Sequence, residues 1–322
     1  MARILVTGGS GFIGSHICDR LTGLGHEVVC IDNLMTSKKD NISHLLNRDG
    51  FKFIEGDIRD RELMAEVLVG CTHVCHQAAL GSVPRSIKDP ITTNDINLSG
   101  SLNVLSLSLQ NGISRFVYAS SSSVYGDDLS LPKVEERTGE PLSPYAVTKS
   151  AFEKYANVFN SVHGLETIGL RYFNVFGPRQ SPSGEYAAVI PKFIDSILRN
   201  VPPTIFGDGK QTRDFTYVDN VVEANILALF GDFEEGFGSC FNVACGGTVS
   251  IKTIFDLLLN SYREISGIEL NLMPEMAPVR AGDVKDSLAS LEKIESLLGY
   301  VPSKGLSEGL KETVQWHLDL GN

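Results

Sequence analysis

The chain lacks any apolar run approaching the ~20 residues of a membrane-spanning helix, so it carries no transmembrane signal. It also lacks an excess of positive charge. Lys and Arg number 28 against 39 Asp and Glu, and the net charge is -11. A surface of that sign repels nucleic acid and acidic membranes, so neither is expected as a partner. An anionic substrate would need its own local cluster of arginines. Cysteine is sparse. Six in this length do not make a disulfide scaffold, and Cys71 with Cys75 and Cys240 with Cys245 lack the Cys-x-x-Cys pairs of a zinc site. Reduced core thiols, no metal and a cytoplasmic protein are the expectation. There is no signal-peptide layout, no internal repeat and no low-complexity tract. What is present is ordinary for a soluble globular chain: 42% hydrophobic residues and 21% charged. Its 322 residues suffice for one large domain or two unequal ones.

The N-terminal stretch is the first with chemistry in it. Arg3-Ile4-Leu5-Val6-Thr7 reads as a buried parallel strand, and a helical pattern runs to about Gly25. Between them lies Gly8-Gly9-Ser10-Gly11-Phe12-Ile13-Gly14. Strand, glycine loop and helix together make a dinucleotide site, because glycines let the backbone approach a pyrophosphate and the helix N-terminus faces its charge. A second strand from Glu27 ends at Asp32-Asn33. A carboxylate there can hold both ribose hydroxyls and would repel a 2′-phosphate, which favours NAD over NADP.

The alternation continues. Phe51 to Gly56 is a strand ending at Asp57-Ile58, suited to an adenine edge, and Thr72 to His76 is another, ending at Gln77-Ala78-Ala79. Asn94 to Gln110 has helical spacing, and Phe116 to Ala119 runs as a strand into Ser120-Ser121-Ser122-Ser123. Strands alternating with helices argue for an α/β fold with a doubly wound parallel sheet, whose ligands sit at the carboxyl ends of the strands. Ser143-Pro144-Tyr145-Ala146-Val147-Thr148-Lys149 then opens a helix, with Ser143 as cap, Pro144 in the first turn and Gly164 as stop. Tyr145 and Lys149 are four apart and share a face. An ammonium and a helix N-terminus both favour the phenolate, which makes Tyr145 a candidate general base.

The glycine loop, Asp32, a serine at a strand end and Tyr145-x-x-x-Lys149 resemble the extended short-chain dehydrogenase/reductase family. The likeness covers nearly the whole chain. Arg171 to Pro178, Phe206 to Phe215 with Tyr217-Val218-Asp219, and Arg280-Ala281-Gly282-Asp283 resemble stretches of its nucleotide-sugar epimerases and dehydratases. Ala79 to Ser86 and Ala187 to Pro191 are similar to the bacterial UDP-N-acetylglucosamine 4-epimerase group.

The resemblance implies roles. The catalytic serine four residues before the tyrosine of Val124-Tyr125-Gly126 is Ser121; Tyr145 is the base and Lys149 its partner on the nicotinamide ribose. Gly8, Gly11, Phe12, Ile13, Gly14, Asp32, Asn33, Asp57, Ile58, Gln77, Ala78, Ala79 and Tyr172 line a tightly bound NAD. Ser82, Ser123, Asn174, Ala188 and Val189 meet the substrate, Thr204 to Phe206 the uracil, and Arg213 and Arg280 the diphosphate, with Asp283 near the ribose. The residue four beyond Asp283 is a gate beside the sugar; here it is the small Ser287, which leaves room for an N-acetyl group. The expected activity is 4-epimerisation of UDP-GlcNAc and UDP-GalNAc, with UDP-Glc and UDP-Gal as further substrates.

Other readings stay open. A UDP-uronate 4-epimerase or a nucleotide-sugar decarboxylase would want a basic group at C6, for which Arg85 and Lys192 are candidates. A dehydratase would need an acid pair where Ser122 and Ser123 stand. A non-enzymatic NAD(H) sensor would tend to lose Tyr145 or Lys149. Residues 1–175 are expected to form the NAD-binding domain, with 218–245 returning to it, and 176–217 with 246–322 the smaller substrate lobe. The family often dimerises through the helices at Asn94 to Gln110 and Tyr145 to Val162; their outer faces show no distinct apolar stripe in the sequence.

Overall fold

The computed structural model describes residues 1–182, 187–278 and 285–320. In chain order the elements are β1 (Arg3–Thr7), α1 (Phe12–Gly23), β2 (Glu27–Asp32), β3 (Phe51–Glu55), α2 (Arg61–Val67), β4 (His73–His76), α3 (Val83–Lys88), α4 (Pro90–Asn94), α5 (Ser101–Gln110) and β5 (Arg115–Ser121). Then follow α6 (Pro144–His163), β6 (Glu166–Tyr172), β7 (Val175–Phe176), α7 (Val189–Leu198), β8 (Thr204–Phe206), β9 (Thr212–Arg213), β10 (Thr216–Tyr217) and α8 (Val218–Phe230). The chain closes with β11 (Ser239–Val243), β12 (Val249–Ser250), α9 (Ile251–Ser266), β13 (Glu275–Ala277), α10 (Glu292–Leu298) and α11 (Leu306–Leu320).

Seven strands make the main sheet, in the order β11-β6-β5-β4-β1-β2-β3, and every pairing in it is parallel. That is the doubly wound α/β sheet its sequence alternation predicts. One face is covered by α1 and α8, whose Ile17, Leu21, Val221 and Leu229 bury against Ile4, Val6 and Val117. The other is covered by α2, α5 and α6, through Met64, Val104 and Phe152 against Leu5, Val74 and Phe116. The strands are apolar on both sides because both faces are covered. From α7 onward the chain builds a third apolar cluster, from α7, α9 and α11, where Phe193 meets Phe255 edge-to-face at 5.6 Å. Between visits to that cluster it returns to the sheet, adding α8 to one face and β11 to the edge beside β6.

Two sequence expectations changed in detail. The helical stretch at Asn94 to Gln110 is not continuous: α4 ends at Asn94, a π turn occupies Asp95–Gly100, and α5 follows. Inside the π turn the buried Asn97 hydrogen-bonds both the N–H (2.7 Å) and the C=O (3.1 Å) of Leu80, so a widened turn brings an amide to a strand-end loop. The spacing of Ser287 to Leu298 reads as one helix in the sequence, but the helix begins only at Glu292. Lys133 bridges Ala289, with Lys133 N–H on the Leu288 carbonyl at 2.7 Å and Ser290 N–H on the Lys133 carbonyl at 2.9 Å, which holds that segment extended. By contrast α6 starts and stops where its sequence says. Ser143 Oγ accepts from Ala146 N–H at 3.2 Å, and Gly164 takes the left-handed conformation at φ 71°. No helix of the described residues is long and apolar enough to cross a membrane.

Candidate active site

A cavity of about 390 Å³ opens at the carboxyl ends of the sheet strands. The β1–α1 loop gives it Gly8, Gly11, Phe12, Ile13 and Gly14; the end of β2 gives Asp32 and Asn33. Ile58 follows β3, and Gln77, Ala78 and Ala79 follow β4. Ala119 and Ser120 of β5, Tyr145 and Lys149 of α6, and Tyr172 of β6 close the far end. The parallel sheet produces this convergence, since all its strands end on one edge.

The walls fit a dinucleotide. Gly8 sits at φ 66°, and a Cβ there would lie 2.7 Å from the Ala78 amide nitrogen. A Cβ at Gly14 would lie 2.2 Å from the Gly8 carbonyl oxygen, so only glycine lets helix and loop close to this distance. The N-cap of α1 is Gly11, which makes no side-chain cap, whereas α6 has Ser143. The first-turn amides of α1 are therefore left facing the cavity mouth without a side-chain acceptor, an anion site by construction. Asp32 is buried; its Oδ2 accepts from Ser10 N–H (3.1 Å) and its Oδ1 from Leu34 N–H (2.9 Å) and Ser37 Oγ (2.7 Å). A carboxylate fixed in this way suits a ribose diol and repels a phosphate. Of the residues expected around NAD, Asp57 alone is off the cavity wall. Hydrogen bonds from Arg59 Nε (2.9 Å), Arg59 Nη2 (2.8 Å) and Asn33 Nδ2 (2.8 Å) draw its carboxylate away and hold its pKa down at about 2. Met35, Thr36 and Ser37 also line the cavity. Sequence reasoning missed them because no motif marks them; the only signal was a serine within reach of the Asp32 strand end.

Tyr145 and Lys149 meet at the inner end. Lys149 Nζ donates to the Ala119 carbonyl at 2.8 Å and lies 5.9 Å from the Tyr145 ring centroid. Burial lowers the Lys149 pKa to about 8, partly opposed by Glu153. The phenolate expectation needs a correction here. Burial raises the Tyr145 pKa, and a hydrogen bond with Ser121 only partly offsets it. In the protein alone desolvation outweighs that hydrogen bond, because burial penalises the phenolate. Ser121 Oγ also accepts from Ser123 N–H at 3.2 Å, while Ser123 Oγ is buried without a hydrogen-bond partner. Tyr172 turns its ring to the cavity and its hydroxyl to Gln77 Oε1 (3.1 Å) and Asn225 (3.2 Å to Oδ1). Asn225, from α8, was not legible as a site residue in the sequence.

A second cavity, about 170 Å³, lies in the smaller lobe. Asn174, Val189, Thr204, Phe206 and Arg213 line it, with Gln211 and Phe215 beside them. Ala188 is the residue that enters α7, and Ser82 caps α3 by accepting from Arg85 N–H at 3.1 Å. Asn174 is held at φ 34°, its Nδ2 on the Asp214 carbonyl at 3.0 Å. Arg213 Nη1 donates to the carbonyls of Thr212 (2.8 Å) and Lys285 (3.0 Å). Ser287 N–H donates to the Thr212 carbonyl at 3.2 Å, which brings the proposed gate beside the Arg213 strand. Behind this wall Asp214 is fully buried and accepts from Cys245 N–H (3.0 Å), Gly246 N–H (3.1 Å) and Ala289 N–H (3.4 Å). Burial raises its pKa to about 6. Arg280 and Asp283 lie outside the described residues. No cluster of three or more His, Cys, Asp or Glu that could hold a metal occurs among the described residues.

Comparison with known proteins agrees with this geometry. A putative UDP-glucose 4-epimerase of Methanocaldococcus jannaschii is 40% identical over 315 residues, 97% of each chain. The structure of a UDP-N-acetylglucosamine 4-epimerase from Methanobrevibacter ruminantium, in complex with UDP-N-acetylmuramic acid, superposes with a TM-score of 0.91 at 37% identity, over 99% of both chains. A UDP-glucuronic acid 4-epimerase from Bacillus cereus, with UDP-glucuronic acid and NAD, gives 0.89 at 32% identity, again over 99% of both. Residues 4–244 match the model of the NAD dependent epimerase/dehydratase family. With a cavity that fits NAD and this match along the chain, the protein belongs to the NAD dependent epimerase/dehydratase family, and its cofactor is NAD.

Proposed function

We propose that this chain interconverts UDP-N-acetylglucosamine and UDP-N-acetylgalactosamine, the N-acetylated case of UDP-sugar 4-epimerisation. The observation that carries the reading is the meeting of Tyr145 and Lys149 on the wall of the large cavity, with Ser121 hydrogen-bonded to Tyr145. Relatives and structural neighbours described as UDP-sugar 4-epimerases support the class of reaction. The small side chain of Ser287 supports the N-acetylated sugar, because a bulky residue there would fill the space beside the 2-substituent.

Bound NAD supplies a hydride acceptor that is regenerated within each cycle. The chain's own residues do the rest. Tyr145 takes the proton of the sugar 4-hydroxyl and later returns it. Ser121 hydrogen-bonds the same oxygen, and Ser123, whose buried hydroxyl has no hydrogen-bond partner in the protein, is assigned to the sugar. Lys149 supplies positive charge beside the phenol, which favours its ionised form once a ligand is bound. Arg213 grips the diphosphate, with Arg280 assigned to the same task, and Thr204 to Phe206 take the uracil. Held by the diphosphate alone, the 4-keto sugar turns over and presents its other face. Residues 1–175 with 218–245 act as the NAD-binding domain, and 176–217 with 246–322 as the substrate lobe.

A homodimer through α6 belongs to the same reading. Its outer surface exposes Val147, Tyr155, Val158 and Val162, which corrects the impression of no apolar stripe: the four lie on one face, three to eight residues apart. The test of function is product analysis of the purified protein without added NAD, given UDP-GlcNAc, UDP-Glc and their C6 acids separately. Conversion of UDP-GlcNAc to UDP-GalNAc is expected. Turnover of an acid alone would keep the chemistry and overturn the sugar assignment.

A further inference from the structure

On α6, Tyr145, Lys149 and Glu153 recur every fourth residue and share one face. The Glu153 carboxylate is the meeting point of three elements. Ser120 Oγ of β5 donates to its Oε1 at 2.5 Å, and Arg171 of β6 donates Nε to Oε1 (2.9 Å) and Nη2 to Oε2 (2.8 Å). Ser120 and Arg171 face each other in the β5–β6 register, one step before the pair Ser121 and Tyr172. Arg171 Nη1 continues to Tyr125 Oη (3.1 Å) and the Glu135 carbonyl (3.0 Å). One carboxylate thus ties the helix bearing Tyr145 and Lys149 to both strands whose ends meet the large cavity.

We propose that Glu153 is a positioning residue of the 4-epimerisation: it seats the Ser121 strand end against α6 one turn beyond Lys149, with Arg171 as its counter-charge. The proposal rests on the function proposed above. A buried ion pair serving stability alone gains little over apolar residues of the same volume. The location separates the two roles. The groups facing Lys149 are Tyr145 and Glu153 from α6, the Ala119 carbonyl from β5 and His76 from β4. His76 is kept neutral by burial, its pKa lowered to about 3, so it sets no second positive charge beside Lys149. Glu153 is the acidic group that favours the Lys149 ammonium, and Arg171 reaches that ammonium only through Glu153.

The test is the pH profile of kcat for Glu153→Gln and Arg171→Gln. The alkaline limb, where Lys149 loses its proton, is expected to fall by about one pH unit in Glu153→Gln and to rise in Arg171→Gln, where Glu153 acts unopposed. The double variant should match Glu153→Gln, because Arg171 acts on Lys149 only through Glu153. The same shifts should appear in the NMR titration of the Lys149 Cε signal, identified by its loss in Lys149→Met. That arm needs no substrate, so it stands apart from a failure of the epimerase reading. If the Gln variants do not fold, Glu153→Asp keeps the charge and shortens the reach to Ser120. It should lower kcat about tenfold with the limb unmoved. Limbs that stay put or move the same way in both Gln variants, or a Glu153→Asp enzyme with full kcat, would overturn the proposal.

Discussion

The two cavities each rest on one buried ionisable side chain, and burial opposes the charge of both. Under the large cavity Lys149 has its pKa lowered to about 8; behind the small one Asp214 has its pKa raised to about 6. Their surroundings differ. Asp214 is closed in by three backbone amides from two segments, Cys245–Gly246 and Ala289. It staples the lobe and has no acceptor capacity turned to a ligand. Lys149 makes one backbone hydrogen bond and lines the cavity, so its remaining donors are directed at whatever binds there. A buried charge consumed by the backbone is a structural part; one left partly unsatisfied at a cavity wall is a chemical one.

The largest expected effect breaks the large cavity's chemistry and leaves the small one intact. Tyr145→Phe should lower turnover about 10³-fold with NAD content unchanged, measured by product formation and by cofactor released on denaturation. Full activity in that variant would sink the mechanism.

Lys149→Met sharpens the contrast through pH. Below pH 8 Lys149 is charged in folded and unfolded chains, and its burial costs about 3 kcal/mol. Between about 8 and the ordinary lysine value of 10.5 the unfolded chain binds the extra proton, so stability from this group rises with pH. The variant should therefore gain stability over the parent at pH 7 and lose that advantage toward pH 10, as read by denaturant unfolding at each pH. A difference that does not change with pH would show Lys149 to be unperturbed.

Arg213→Met addresses the small cavity alone. KM for the UDP-sugar should rise about 10- to 100-fold, the loss of one charge-assisted hydrogen bond, with kcat changed only a few-fold. Equal losses in both parameters would place Arg213 in the chemistry. The mildest change is Gly14→Ala. Its Cβ would meet the Gly8 carbonyl at 2.2 Å, so loop and helix must shift at a cost of about 1–3 kcal/mol. NAD retention should fall while UDP binding holds; unchanged NAD content would show the glycine contact to be dispensable.

The large cavity was mostly legible in the sequence because its parts are short and local. Gly8 to Gly14 is a turn followed by a helix start, Asp32 ends a strand, and Tyr145 and Lys149 are one helical turn apart. Each can be read from a window of a dozen residues. Glu153 followed Lys149 by one more turn and was passed over, because its meaning comes from Arg171 and Ser120 on other elements. Asn225 was passed over for the same reason, since its partners Tyr172 and Gln77 are far away in the chain. The π turn at Asp95–Gly100 escaped notice because its apolar spacing matches that of a continuous helix.

The sequence by itself determined the alternation of strands and helices, the glycine loop, the start and stop of α6 and the family likeness. These depend on backbone permissiveness, capping and periodicity, which act between neighbours in the chain. Tertiary structure alone decided which carboxylates face ligand and which face protein. Asp32 lines the cavity, Asp57 turns to Arg59, and Asp214 disappears behind a wall. It also decided the charge balance of the pair at the centre: burial raises Tyr145 and lowers Lys149, against the local expectation of a ready phenolate. Desolvation depends on everything that surrounds a group, and no stretch of sequence contains that information.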